Sequence, residues 1–364
     1  MASESSMPTA SPAATREVTF VDAVRDALDI AMELDSNVIC YGLGTDDPKG
    51  IFGTTVGLRE RFGPARVFDM PTSENAMTGV AIGASLNGIR PVMTHQRLDF
   101  FLLAMDQLVN NAAKWRYMFG GQASVPITIR LILGRGWGQG PTHAQNLQAW
   151  LAHIPGLKVV MPTTPADAKG LLLSAIFDPD PVVFLEHRWL HSLRGEVPPG
   201  DERVPLGVAR RVREGCDATI VSLSYMTVEV LHAIESLEKQ HVSCDVLDLR
   251  SVRPLDWDAV YASVTKTGRL LVVDTANPTC SVASEIVASV ARNRFSALRC
   301  APRQLAPPDT PSPTSPALAQ VYYPTSDDII LEVGRLLGRE LVADTTALRT
   351  HQPDVPGDWF TGPF

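Results

Sequence analysis

The sequence predicts an α/β protein of two domains, the first built on a parallel sheet, and three features carry that expectation. Short apolar runs suited to buried strands alternate with segments of helical periodicity. Such alternation implies parallel strands with ligands at their carboxyl ends. At 364 residues the chain exceeds what one core of ordinary size organises. A polar stretch bearing Pro and Gly, residues 191–206 (HSLRGEVPPGDERVPL), interrupts the alternation and reads as a linker.

Residues 1–15 are rich in Ser, Pro and Ala, a composition that buries too little apolar surface to order itself, so the first domain is set at 16–190. Phe20 to Leu34 carries apolar residues at helical spacing, and Asn37 to Tyr41 is a short apolar strand ending in Gly42-Leu43-Gly44. A loop from Thr45 to Thr55 leads to a helix at Leu58 to Phe62 and a strand at Arg66 to Asp69. Ala76 to Ile89 is small and apolar along its length and reads as a buried helix, with Ser73 at the N-cap position. Strands follow at Pro91 to Thr94, Pro126 to Leu133, Lys158 to Met161 and Val182 to Glu186. Helices are expected at Leu103 to Tyr117, Asn146 to Ala152 and Pro165 to Phe177. Beyond the linker, strands at Ala218 to Ser222, Ser243 to Leu249 and Arg269 to Asp274 are separated by helical segments at Met226 to Lys239, Asp256 to Thr267 and Val282 to Phe295. They predict a second, smaller α/β domain at 207–338, and 339–364 is a weakly patterned extension.

Charge narrows the partners. Lys plus Arg total 32 against 40 Asp plus Glu, a formal net charge of −8 with no basic block, so nucleic acid is not expected. No apolar run reaches the roughly 18 residues of a membrane span. Residues 1–15 lack a basic segment followed by an apolar one, so neither a membrane nor a secretory route is expected and a cytoplasmic protein is the default. The five cysteines are scattered without a CxxC pair and read as small buried hydrophobes in a reducing compartment. His187 and His191 lie four apart without a third ligand nearby and read as incidental.

Glu74 is the only acid between Asp69 and Asp99 and opens the small-residue helix. Two readings stand: a helix-start acid favoured by the helix dipole, or a poised acid at the mouth of a buried element. The glycines of Gly134-Arg135-Gly136-Trp137-Gly138-Gln139-Gly140 fit neither the dinucleotide nor the P-loop spacing. They make a loop that delivers His143, which is either an ordinary surface histidine or a proton-transfer group that titrates near neutral pH.

Order and spacing of a longer set of segments resemble one family. Ser73-Glu74-(x)4-Gly79-(x)3-Gly83, Gly88-Ile89-Arg90-Pro91, Asp99-Phe100 and the run Met105 to Lys114 come first. Tyr117 to Gly121, Pro126 to Arg130, Pro155 to Val160, Asp167 to Gly170 and Pro181 to Glu186 follow. Over about 300 residues this pattern resembles the β subunit of the thiamine-diphosphate-dependent 2-oxoacid dehydrogenase E1 components, of the pyruvate, acetoin and branched-chain type. The resemblance implies a transketolase-like pyrimidine-binding domain followed by a smaller α/β transketolase C-terminal domain that assists dimerisation.

It also implies roles. Glu74 matches the glutamate that hydrogen-bonds N1′ of the coenzyme's aminopyrimidine, and Phe100 matches the aromatic that packs on that ring, an ordinary core Phe being its alternative. His143 matches the histidine of a Gln-His-Ser-Gln motif, here Thr142-His143-Ala144-Gln145 with both neighbours of the histidine changed. The coenzyme's diphosphate is held through Mg²⁺ by a Gly-Asp-Gly motif that this chain lacks. The family supplies it from an E1 α subunit in an α2β2 heterotetramer, for which the helices at 76–88 and 103–117 are natural interface elements. Ala175-Ile176-Phe177-Asp178-Pro179-Asp180 resembles a potassium loop, with carbonyls of Ile127, Ala175, Ile176 and Asp178 and a side-chain oxygen of Asp180 as ligands. A plain helix-ending turn is its alternative.

The expected function is decarboxylation of a pyruvate-like 2-oxoacid by the α/β complex, with the activated aldehyde or acyl unit passed to a lipoyl E2. His95, Gln96 and Arg97 depart from the mostly apolar pattern at this point of the family. They are costly to bury without polar partners. They either pair with acids of the α subunit or bind a polar or anionic acceptor, and the second reading gives the alternative function of a carboligase. A non-catalytic scaffold subunit is the remaining alternative.

Overall fold

The computed structural model describes residues 14–135 and 138–343, so the expectations for residues 1–13, Trp137 and 344–364 lie outside the described residues. The strands of the first part are β1 (Arg16–Thr19), β2 (Val38–Gly42), β3 (Val67–Asp69), β4 (Arg90–His95), β5 (Thr128–Leu133), β6 (Lys158–Val160), β7 (Val182–His187) and β8 (Arg194–Val197). They are followed by β9 (Arg210–Arg213), β10 (Ala218–Ser222), β11 (Cys244–Asp248), β12 (Ser251–Arg253), β13 (Leu270–Val273) and β14 (Arg303–Leu305).

Two sheets organise the chain. The larger runs β12-β6-β7-β5-β4-β2-β3 and is parallel except at β12, which pairs antiparallel with β6. The smaller runs β14-β13-β10-β11-β9 and is parallel except at β9. Strand β12 belongs by sequence to the second half yet closes the edge of the first sheet. The two halves therefore share structure, and one apolar cluster includes Val92 and Phe184 of the larger sheet with Ile220 and Val246 of the smaller.

The helix Phe20–Leu34 forms for local reasons and buries for global ones. Thr19 caps it by accepting from the Asp22 amide, and Phe20, Ala23, Val24, Ala27, Leu28, Ala31 and Met32 make one buried stripe. That stripe packs on the helix Pro165–Phe177, which Thr164 caps and Pro165 starts. The second helix is buried nearly all round because residues 191–206 lie across it. Within that segment β8 pairs antiparallel with β1, and the Ser174 hydroxyl donates to the Val204 carbonyl. Gly170 is required there, since a Cβ would sit 2.5 Å from Val204 Cγ2. The stretch read as a linker thus carries a strand and packs on its neighbour.

Two further expectations change. The single helix expected from Leu103 to Tyr117 is a broken run: a helical turn Leu98–Phe101, a 3₁₀ turn Leu102–Ala104, a π-helical turn Gln107–Ala112 and a turn Trp115–Met118. Side chains bridge the widened turn, Asn110 donating to Asp106 and Asn111 to Gln107. Among the cysteines only Cys40 and Cys244 are buried, whereas Cys216 and Cys280 are exposed.

A polar layer lies among the carboxyl-terminal ends of the central strands. Arg130 of β5 and Glu186 of β7 are both fully buried and paired through two bonds, Nε to Oε1 at 2.7 Å and Nη2 to Oε2 at 3.0 Å. Burial pushes the Glu186 carboxyl up, but the Arg130 charge and hydrogen bonds, with His191 close by, outweigh it and hold the group below its ordinary range. His191 Nε2 lies 3.4 Å from Glu186 Oε2, so this histidine is part of the layer. Burial nevertheless pushes both His191 and His95 down to about 4.

Replacing Arg130 with Met leaves Glu186 buried without its partner and is expected to cost about 3–5 kcal/mol in chemical denaturation. Adding Glu186→Leu to that variant recovers most of the loss, and a single variant as stable as the parent would refute the pair's role. The histidines give a pH dependence of fixed sign. Both are neutral when folded and bind protons near pH 6.5 when unfolded, so stability is full above about 6.5 and falls as pH drops toward about 4. Melting curves across that window should slope downward with acid, and His95→Phe should flatten part of the slope.

Candidate functional site

Glu74 begins the helix Glu74–Ser85, just beyond β3, at the end of the sheet where the strands leave their carboxyl termini. Ser73 stands at the N-cap as expected but makes no side-chain cap bond. Glu74 is only 5% exposed and its side chain has no ion pair or hydrogen bond among the described residues; its backbone carbonyl accepts from the Thr78 hydroxyl. The helix is not sealed along its length. Thr78, Ala81, Ile82 and Ser85 are buried, whereas Ala76, Val80 and Gly83 leave an apolar face open to solvent.

Phe100 and His143 meet, although 43 residues separate them in the sequence. Their rings stand edge to face with centroids 5.3 Å apart and planes at 89°, and Phe100 is 38% exposed, so it is not a core phenylalanine. The His143 Nδ1 lies 3.0 Å from the Thr142 hydroxyl. Gln145 donates to Asp99 Oδ1 from its side chain at 2.8 Å and from its amide at 3.4 Å. The loop itself is shaped by close approaches. A Cβ on Gly134 would lie 2.3 Å from His187 Nε2, and one on Gly140 would lie 2.4 Å from the Thr314 hydroxyl of the second half.

The three departures from the family pattern do not converge. His95 is fully buried, its ring 4.9 Å from Phe101, and neither ring nitrogen has a hydrogen-bond partner among the described residues. Gln96 is exposed beside Gly44. Arg97 is 4% exposed, donates through Nη2 to Gln139 and leaves Nη1 without a partner among the described residues. Burial lowers its pKa, and the nearby Asp99 charge opposes that. Sequence reasoning missed Asp99 and Gln139 as site residues; their only signal was position, one beside Phe100 and the other inside the Gly-rich loop.

The turn after the helix Pro165–Phe177 is filled by the chain's own donors. Arg90 Nη1 reaches the Ile176 and Asp178 carbonyls at 3.2 and 3.4 Å, and the Val182 amide donates to the Ile127 carbonyl at 3.0 Å. Lys158 Nζ binds both Asp178 oxygens at 2.7 Å, the Asp178 amide donates to the Ala175 carbonyl at 3.3 Å, and Asp180 pairs with Arg116. Three positive side chains already meet the oxygens expected to hold potassium. Among the described residues no group of three His, Cys, Asp or Glu could hold a metal ion, and no helix is long and apolar enough to cross a membrane.

Residues 16–192 match the transketolase pyrimidine-binding domain and residues 207–329 the transketolase C-terminal domain. Among curated relatives, the acetoin:2,6-dichlorophenolindophenol oxidoreductase subunit beta of Cupriavidus necator is 43% identical over 86% of this chain and 96% of its own. The pyruvate dehydrogenase E1 component subunit beta of Bacillus subtilis is 41% identical over 88% of this chain and 99% of its own. Among solved structures, a split-gene transketolase in an inactive beta4 tetramer superposes with a TM-score of 0.72 at 21% identity, covering 88% of this chain and 99% of that one. That last likeness concerns the fold alone.

Proposed function

We propose a function from one premise: the chain belongs to the transketolase-type family that includes the β subunits of the acetoin and pyruvate dehydrogenase enzymes. It is the β half of a thiamine-diphosphate-dependent E1-type enzyme that decarboxylates a pyruvate-like 2-oxoacid and hands on the activated aldehyde or acyl unit. The observation that carries this reading is Glu74, 5% exposed at the start of its helix, whose side chain has no hydrogen-bond or ion-pair partner among the described residues. A carboxyl on a residue this buried, with no protein partner among the described residues, is left open to a hydrogen bond from a bound group.

The residues present fit the pyrimidine half of the coenzyme. Glu74 would accept or share a proton at the pyrimidine ring nitrogen, and the half-open face of Phe100 would carry the ring. When bound, the coenzyme supplies a nucleophilic carbon for the keto carbonyl and an electron sink for the pair released with carbon dioxide. His143, held edge-on to Phe100, donates to or accepts from the substrate oxygen beside that carbon. The diphosphate and its Mg²⁺ fall to an E1 α subunit, because the Gly-Asp-Gly motif is missing from this chain.

An α2β2 assembly is supported by the apolar surface left open near Glu74. Val80 is 56% exposed and Leu103 69%, and both belong to the helices expected at the interface. Potassium is left out of the mechanism, since Arg90, Lys158 and Arg116 meet the oxygens that would bind it. A carboligase remains the second reading for one reason: the spare Nη1 of buried Arg97 suits an anionic acceptor, with Gln96 at the surface beside it and His95 sealed away in the core.

Co-expression with an α subunit should give a complex that takes up thiamine diphosphate with Mg²⁺ and decarboxylates pyruvate or a close analogue, while the β chain alone turns over nothing. In that complex Glu74→Gln is expected to lower the rate by about a hundredfold or more with assembly intact. An unchanged rate would favour a scaffold. Reductive acylation of lipoamide supports the dehydrogenase over transfer to a carbonyl acceptor, and acyloin products without lipoamide acylation reverse that choice.

A further inference from the structure

The loop that carries His143 has little structure of its own. Among the described residues between the end of β5 and the helix Gln148–Ala152 the backbone forms no strand or regular helix, Gly138 and Gly140 have φ of 64° and 70°, and the His143 amide reaches the Gly140 carbonyl at 3.3 Å. A proton-transfer group on such a loop is imprecise unless something outside the loop holds it. Glycine at positive φ adds no stiffness.

Both ends of the segment are held by one short element. Arg97, the residue before the turn Leu98–Phe101, donates to the Gln139 side-chain carbonyl, and Asp99 inside that turn accepts from the Gln145 side chain and amide. Phe100, between those contacts, meets the His143 ring. The geometry points to Arg97 and Asp99 as positioning residues: they clasp residues 139–145 at both ends and fix the His143 ring against Phe100. The catalytic importance of the clasp rests on the reading of His143 as a proton-transfer group; the clasp itself does not.

Burial supports a positioning role over a surface one. Arg97 is 4% exposed, so its bond to Gln139 is shielded from water and salt. Asp99 Oδ1 takes two donors from one residue, which fixes both the backbone and the side chain of Gln145 two residues from His143. Losing either contact frees one end of the loop, and a displacement on the order of 1 Å costs about a hundredfold in rate when reacting groups must be aligned.

The test uses the α/β complex with Asp99→Ala, Asp99→Asn, His143→Ala and the double variant Asp99→Ala/His143→Ala. Asp99→Ala is expected to lower kcat about tenfold or more with KM within about threefold and the melting temperature little changed. Asp99→Asn keeps an accepting oxygen and stays within about threefold of the parent. In the His143→Ala background Asp99→Ala adds no further loss, because both act through one ring. Full additivity, or Asp99→Asn as poor as Asp99→Ala, overturns the proposal. A second readout needs no turnover: ¹⁵N-histidine spectra of the full β chain should show one ordered His143 ring in the parent and in Asp99→Asn, and an exchange-broadened one in Asp99→Ala. If the parent complex decarboxylates nothing, the functional reading fails while the spectra still decide the clasp. Unchanged spectra in Asp99→Ala sink the clasp whatever the complex does.

Discussion

The Arg130–Glu186 pair sets the terms for the rest of the first domain. Two adjacent parallel strands, each buried on both faces, place a full charge of each sign in the same layer, and neither side chain reaches water. Such a pair persists only with good geometry and satisfied lone pairs, and here it is bidentate, with His191 beside the outer oxygen and Thr94 of β4 3.4 Å from Arg130 Nη1. The requirement reaches outward. His191 stacks on Phe20, the first residue of the helix Phe20–Leu34, so the start of that helix, β7 and the center of the sheet are fixed by one set of contacts. The site is built on the ends of these strands, and its precision derives from a layer that cannot shift without exposing an ion to apolar surroundings.

Much of this fold is legible in the sequence where local and global preferences agree. Phe20–Leu34 and Pro165–Phe177 have their expected bounds because a Thr cap, a first-turn acid and an apolar pattern all mark the same start. The failures occur where long-range pairing overrides local signals. Strand β8 lies in a Pro- and Gly-bearing stretch, and only its partner β1, far away in sequence, makes it a strand. Strand β12 is three residues long and gains its identity from the sheet edge it completes. The helix expected at 103–117 is interrupted by a π-helical turn at Gln107–Ala112, in residues that a helical pattern tolerates, and i,i+4 side-chain bonds from Asn110 and Asn111 run along that turn.

The site divides in the same way. Glu74, Phe100 and His143 stand out because each is a chemically distinctive residue in a distinctive setting: a lone acid, an aromatic beside an acid, a histidine after glycines. Asp99, Gln139 and Gln145 do their work through contacts that no spacing rule reveals, since each joins residues more than forty positions apart. The segment His95-Gln96-Arg97 shows a further limit. Three polar side chains in a row look like one cluster in the sequence, but the end of a strand sends them in different directions, into the core, into solvent and under the Gly-rich loop.

One consequence follows for a site shared between two chains. Glu74 is 5% exposed without a side-chain partner among the described residues, while Val80 and Leu103 nearby keep apolar surface in water. In the isolated chain the first leaves a carboxyl short of protein hydrogen bonds and the second leaves apolar surface unburied. In the proposed assembly the coenzyme answers the first and the α subunit the second, and docking the α subunit also brings the diphosphate half of the site. Subunit association, coenzyme binding and exclusion of water from His143 are then one coupled equilibrium, in which each event lowers the free-energy cost of the others. Loss of the apolar face would weaken coenzyme uptake although Val80 and Leu103 touch no part of the coenzyme in this reading.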